Sequence, residues 1–376
     1  MRHGAADRDK FLDALRGYLI VRCCGDQDRW SREFRAVAGA LPAGSEEMRG
    51  RSIPDLCWDL VERTGHRPTT SSEAVRMALG ESFLLRASDG PAYSTSVAFA
   101  SVLLDAQRKT LQQSYLDAPA SYERWTSVGE SVRSYHDLHR VIFNFSGAIQ
   151  EIPESTPYPE AVPSDSRETY TVRKHGVVFS VSLEALLADD IGAIRRPAAQ
   201  AGQAMRKAIN TDVYRLLCAN PAMTDGITIF HATSHGGNLD ATALAAGAPI
   251  DVGYTVMAGQ TSLDGSTIVG VLPRFLIVPA ALAATASTIV SSMTTDAAPL
   301  EVVADASIDS FASGTAWYLA ADPREMETVE VTFLRGEEIP FVTEERGFYN
   351  DTIKYKIRQS YGVKALDYRG LYQGNA

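Results

Sequence analysis

The densest run of side chains able to do chemistry is His231–Ala–Thr–Ser–His235–Gly–Gly–Asn238. Two histidines four apart can hold a metal if both lie on one helix face. That is the residue pair a metal-dependent hydrolase centred on His231 and His235 would use. Here Gly236 and Gly237 follow at once, and the only carboxylate close by is Asp240. A polar loop, with His and Asn side chains satisfying backbone groups, is the commoner outcome of such a sequence. A metal site is therefore a remote reading.

The other candidates are weaker. Cys23 and Cys24 follow Ile20 and Val21 on the apolar side of a predicted helix, where cysteine is usually structural. Cys57 and Cys218 complete the set of four cysteines, with no metal spacing among them. Such usage fits synthesis in a reducing compartment. His136 and His139 flank a predicted strand and read as surface residues, or as a pH-responsive contact. The acidic pairs Asp189–Asp190 and Glu344–Glu345 have no second pair at useful spacing and read as solvated. No phosphate loop, dinucleotide fingerprint, nucleophile elbow or His-Glu-x-x-His occurs. The expectation is no catalytic, cofactor-binding or metal residue, and no enzyme.

With 376 residues the chain is long enough for two or three structural units. Its 45% hydrophobic and 22% charged residues are ordinary for a globular protein. The formal charge of −10 argues against a main task of gripping phosphates. No stretch reads as a membrane span or as a secretory signal.

Periodicity supplies the elements that must position any site. Phe11, Leu12, Leu15, Leu19 and Ile20 share a helical stripe, and Trp30, Phe34, Val37 and Leu41 repeat it up to Pro42. Ser52–Ile–Pro–Asp55 is a helix start, with a Ser cap, an early proline and an acid three residues after the cap. A further helix is expected from about Ser96 to Tyr115, with linkers at 69–72 and 89–96. From His139 the period becomes two. Val141, Phe143 and Phe145 alternate; four prolines follow (Pro153, Pro157, Pro159, Pro163); then Tyr170, Val172, Lys174, Val177, Phe179 and Val181 alternate again. The pattern predicts a long two-stranded arm over 139–181 with a proline-rich tip. Ser182 caps a short helix, and Pro197 is expected to kink it or to open a second helix over 197–219. That helix would carry Ala201, Met205, Ile209, Val213, Leu216 and Leu217 on its apolar face. Short strands and an Ala-rich helix fill the region to Ala321, and strands dominate from Thr328, ending in a long run from Thr352 to Ala365.

The order of these parts resembles the Hong Kong 97-type major capsid proteins of tailed bacteriophages, of the kind found with or fused to a prohead protease. The residues that carry the resemblance are Val213–Tyr–Arg–Leu–Leu–Cys–Ala–Asn–Pro221 with Phe230–His231 and Gly237–Asn238–Leu239; Leu272–Pro–Arg–Phe–Leu–Ile–Val–Pro–Ala280; Thr315–Ala–Trp–Tyr–Leu–Ala–Ala–Asp–Pro323; and Tyr361–Gly–Val–Lys–Ala–Leu–Asp–Tyr–Arg–Gly–Leu–Tyr372. The resemblance implies an α+β fold with an N-terminal helical region (1–115), an extended loop (139–181) and a peripheral domain (116–138, 182–221 and 323–376). It also implies a spine helix (197–219) within that domain and an axial domain (222–322). It implies a structural subunit that assembles into hexamers and pentamers of an icosahedral head around double-stranded DNA, made in the bacterial cytoplasm and residing in the virion. Scaffold, prohead protease, portal and decoration proteins would be its further partners. An encapsulin-like nanocompartment or a gene-transfer particle is the alternative shell. Lys174 lies in the extended loop, but without an identified Asn partner it does not by itself imply a covalent cross-link. The physical reading agrees, because an arm with no core of its own needs a neighbour to cover its strands.

Overall fold

The computed structural model describes residues 5–63, 66–79, 93–144, 164–189, 191–245, 247–263, 265, 267–293, 300–312, 314–346 and 352–374. The fold is α+β, and the chain divides into two compact units. The first comprises 1–119, 175–207 and 339–359, and the second 120–174, 208–338 and 360–376.

Among the described residues, the N-terminal α-helices of the first unit are α1 (Ala5–Cys24), α2 (Arg32–Ala38), α3 (Ile53–Arg63), α4 (Ser71–Leu79) and α5 (Tyr93–Asp117). The α1 stripe buries Phe11, Leu15, Leu19 and Ile20. The α3 start is as read: Ser52 Oγ accepts from the Asp55 amide, and the Asp55 carboxylate accepts from the Ser52 amide. Two expectations fail. Trp30 and Leu41 lie outside α2, because Ser31 caps that helix and Gly39, at φ 74°, ends it. The supposed linker at 69–72 contains the start of α4, whose Glu73 carboxylate accepts from the Thr69 amide.

Helix α6 (Leu183–Leu187) is capped by Ser182, whose hydroxyl accepts from the Ala185 amide. Next comes α7, a continuous helix from Ile191 to Ala219 with Pro197 inside it. The second helix expected to open at Pro197 does not, since the helix is already under way from Ile191. Proline removes one backbone bond near the helix start, and burial of Ala198, Ala201 and Met205 beyond it offsets the loss. The buried stripe continues through Ile209, Val213, Tyr214 and Leu217, whereas Leu216 is only half-buried. Gly202 is a steric requirement. A Cβ there would lie 2.5 Å from the Leu111 carbonyl oxygen and 3.1 Å from the Tyr115 amide, so α5 and α7 touch backbone to backbone.

The strands are β1 (Ser127–Val128), β2 (Leu138–Asn144), β3 (Ser164–Tyr170), β4 (Arg173–Ser182), β5 (Pro273–Val278), β6 (Glu301–Ala304), β7 (Trp317–Ala321), β8 (Val329–Phe333), β9 (Phe341–Arg346), β10 (Thr352–Ala365) and β11 (Leu371–Gly374). In the first unit the early half of β10 pairs with β9, Ile353 opposite Arg346. In the second unit its last five residues pair antiparallel with β8, and β8 pairs parallel with β1. A separate four-stranded sheet runs β11-β7-β5-β6. Helices α8 (Ala248–Ala258) and α9 (Ala283–Ser292) supply Ile250, Met257, Ala286 and Ile289 to its core, around Leu276, Trp317, Leu319 and Tyr372. The closing strand β11, expected in the peripheral part, therefore belongs to the sheet built from 273–321.

Candidate assembly surface

The arm is shorter than expected. Its two strands are β2 and β3, paired antiparallel from Leu138 opposite Tyr170 to Asn144 opposite Ser164. Neither pairs with any other strand among the described residues. The alternating run after Val172 is not part of it: β4 is a neighbour of β10, and Phe179 stacks on Tyr355 with ring centroids 5.2 Å apart. The proline-rich tip and Phe145 lie outside the described residues. An isolated two-stranded ribbon is marginal in water, so what holds this one matters.

The holding groups are buried acids at its base. Glu330 on β8 is 1% exposed and accepts from Arg140 Nε at 2.9 Å and from Thr332 Oγ1 at 2.7 Å. The Tyr170 hydroxyl bonds the same carboxylate oxygen, and also Thr332 Oγ1 at 2.6 Å. Burial, and then Glu330, push the Tyr170 phenol well up, so it stays a donor. Gly129 closes the site, since a Cβ there would fall 2.5 Å from Glu330 and Thr332 side-chain atoms. On β3, buried Glu168 accepts from the Thr224 amide at 2.9 Å and pairs with Lys364 Nζ at 3.0 Å. Both strands are thus moored by desolvated charge pairs, where losing one partner is costly.

Glu330→Gln keeps the shape and removes the charge. It is expected to cost about 1–3 kcal/mol. Amide exchange in 138–144 and 164–170 should quicken, and an unchanged urea midpoint with unchanged exchange would remove this mooring from the account.

The candidates from the sequence have the following places, except Asp190, which lies outside the described residues. His231 Nδ1 accepts from the Ser234 amide at 2.9 Å and the Thr233 amide at 3.2 Å. His235 is buried, its Nε2 2.8 Å from Asp225 Oδ2 and its ring stacked on Tyr368 at 3.6 Å. Asn238 caps the loop, accepting from the His231 amide and donating to the Ile229 carbonyl. Both histidines are thus engaged by their own loop, and no group of three potential metal ligands occurs among the described residues. Burial pushes the Cys23 thiol up to about 12 and that of Cys24 to about 11, so neither is a thiolate. Cys57 is buried and Cys218 half-buried. His136 is exposed, and exposed His139 meets its cross-strand partner Thr169 at 3.1 Å. Lys174 Nζ lies 4.7 Å from the Tyr135 ring centre. Glu345 is exposed and Glu344 half-buried.

Asp189 is not the solvated residue expected. It takes both Arg22 guanidinium nitrogens, at 3.1 and 2.6 Å, and the Ile53 amide at 2.9 Å. Sequence spacing could not show this, because the partners are more than 130 positions away. Another cluster was missed for the same reason. Asp305 accepts from the Ser121 hydroxyl, from Asn210 Nδ2 at 2.8 Å and from the Ser307 amide at 2.8 Å.

Burial alone would raise the Asp305 carboxyl, but the hydrogen bonds from Ser121, Asn210 and Ser307 outweigh it and hold the group below the usual carboxylate range. Since the folded value lies below the unfolded one, the stabilisation is complete above the unfolded value and vanishes as pH falls through the folded value. The melting temperature should therefore fall more steeply below about pH 4 in the native chain than in Asp305→Asn. Parallel curves would contradict it.

Comparison with known proteins gives the family of the chain. Residues 167–374 match the family model described as phage capsid protein, more than half of the chain. Among curated proteins, none matches the chain. Similar solved structures include a virus-like particle from Pyrococcus furiosus, at 12% identity and TM-score 0.43, covering 71% of this chain and 96% of that one. The subunit of Mycobacterium phage Bobi shares 10% identity at TM-score 0.45, over 69% and 90% of the two chains. The procapsid of bacteriophage JBD30 shares 14% at 0.40, over 73% and 74%. With all three scores below 0.5, the family match carries the assignment.

Proposed function

Because this chain belongs to the phage capsid protein family and is a structural shell subunit, we propose that it is the major head subunit of a tailed phage. It assembles into pentamers and hexamers of an icosahedral head enclosing double-stranded DNA, and its role asks for no catalytic group. The observation that carries the reading is the β2–β3 ribbon: two strands with no further strand partner among the described residues, fixed at the base by buried Glu330 and Glu168. Such a ribbon reaches a neighbouring copy in a repeating, head-to-tail contact. In this reading 222–322, with β11 added to its sheet, is the axial domain, 197–219 lies in the spine helix, 139–181 contains the extended loop, and 116–138, 182–221 and 323–370 form the peripheral domain. Scaffold, prohead protease, portal and decoration proteins are its further partners. It is made in the bacterial cytoplasm and ends in the virion.

The test is the cargo. Particles purified from producing cells should protect double-stranded DNA from nuclease. Particles that hold a protein cargo and no DNA would replace the phage head by a nanocompartment.

Charge sets the assembly conditions. Subunits near −10 repel, and salt shortens that repulsion to about 8–10 Å at physiological strength. Light scattering should show assembly accelerating from low to moderate salt. A rate that falls throughout that range would contradict the charge argument.

A further inference from the structure

The sign of the charge reverses along α7. Residues 191–207 hold Arg195, Arg196, Arg206 and Lys207 and no acid, in a chain whose net charge is −10. Packing decides which of these cations meet solvent. Ala198, Ala201 and Met205 are buried, Gly202 lies against the α5 backbone, and the Arg206 guanidinium is drawn in to 5.0 Å from the Tyr115 ring centre. The opposite ridge exposes Arg195, Arg196, Gln200, Gln203, Ala204 and Lys207. Arg196, Gln200, Gln203 and Lys207 follow one another at helical spacing, so they form one line about 16 Å long. Arg22, Arg51 and Arg140 are each held by a carboxylate. Among the described residues, Arg195 and Arg196 have no ion-pair partner.

An occupant of this ridge must bring negative charge and hydrogen-bond acceptors, and needs no apolar group. Guanidinium, ammonium and glutamine amide groups all donate, and no acid of 191–207 repels an anion. The only exposed apolar side chain on the ridge is Ala204, so it lacks the aromatic or aliphatic anchor that a protein partner uses. A nucleic acid backbone asks for such a set: guanidinium forks, point charges and amides, with no base to read. We propose that the ridge of α7 from Arg195 to Lys207 contacts the phosphate backbone of double-stranded DNA. This rests on the reading of the chain as a subunit of a DNA-filled head, and gives the wall of that head its contact with the cargo. One acidic subunit holds the duplex weakly, and repetition of the ridge over the shell multiplies the contact.

The test is the anisotropy of a fluorescent DNA duplex titrated with the full, unassembled chain at low salt. Binding should be saturable, on the order of micromolar, and indifferent to base sequence. The triple variant Arg195→Gln, Arg196→Gln, Lys207→Gln should bind about tenfold more weakly, with a salt slope shallower by about 2 to 3. Arg32→Gln, Arg67→Gln and Arg335→Gln together remove the same charge from exposed sites elsewhere, and should change affinity less than about twofold. Circular dichroism melting checks that both variants fold. Gln200→Glu with Gln203→Glu keeps the three cations, places acids between them, and should weaken binding as much as their loss. No binding by the native chain, equal losses in the two triple variants, or tighter binding of poly-glutamate than of DNA at equal charge would each overturn the proposal, the last by giving the ridge to an acidic protein. Native particles that protect DNA, beside ridge variants that bind duplex like the native chain, would remove this contact and leave the head reading standing. Particles with a protein cargo and no DNA would end the head reading and this contact with it.

Discussion

Replacing residues 152–163 by a short Gly/Ser turn is expected to give a subunit that melts like the native one and forms no closed shells. The segment joins the ends of β2 and β3, whose register from Leu138 to Asn144 stays intact in the variant. It has four prolines, two acids and only scattered apolar side chains, so it offers its own subunit little core. The strands below it keep their anchors, Arg140 on Glu330 and Glu168 on Lys364. Folding therefore loses little, whereas assembly loses the part that reaches the next copy. Thermal denaturation and electron microscopy of the same preparation separate the two effects. Intact, normally sized particles would sink the role given to the tip. An insoluble variant would show that the tip packs within its own chain.

The second large effect is expected at Gly202. Gly202→Val puts a branched side chain where even a Cβ meets the Leu111 carbonyl at 2.5 Å. The obstacle is backbone on both sides, so no side chain can swing away, and α5 must part from α7. Nearby contacts would go with it: the Tyr115 hydroxyl accepting from Gln359 Nε2 at 3.0 Å, and Arg206 packed 5.0 Å from the Tyr115 ring centre. A loss of about 3–5 kcal/mol is expected, in the range of severe overpacking, and so little soluble protein. Ala204→Val, two residues on and exposed, carries only the helix-propensity cost of about 0.5 kcal/mol. Urea denaturation of the two variants tests this. Equal midpoints would mean that α5 does not lie on Gly202.

The contrast between those sites shows what the sequence makes legible. Strand β10 and the part of α7 from Pro197 to Ala219 were readable because their apolar patterns persist over many residues, and local pattern suffices for that; the first turns of α7, from Ile191, were not, because Pro197 reads as a boundary. The capping box at Ser52 and the cap at Ser182 were readable because their partners lie three residues away. The arm was located but drawn too long. Alternation runs on from Tyr170 through Val181, and nothing in a period of two marks where β3 ends and β4 begins. Only pairing distinguishes them, with Leu138 for the first and β10 for the second. The place of β11 beside β7, the clamp on Asp189 and the mooring on Glu330 were not readable either. Each joins residues 50 to 190 positions apart, and a lone acid in sequence looks alike whether solvated or buried. The two histidines read correctly as loop residues, because Gly236 and Gly237 disfavour the helix a metal pair would need.

The central claim is that many copies of this chain close into a shell. Negative-stain images of the purified full-length protein, taken at moderate ionic strength, test it most directly. The account predicts closed particles, or rings of five and six subunits on the way to them. A folded monomer that stays monomeric as salt and protein concentration rise would contradict it.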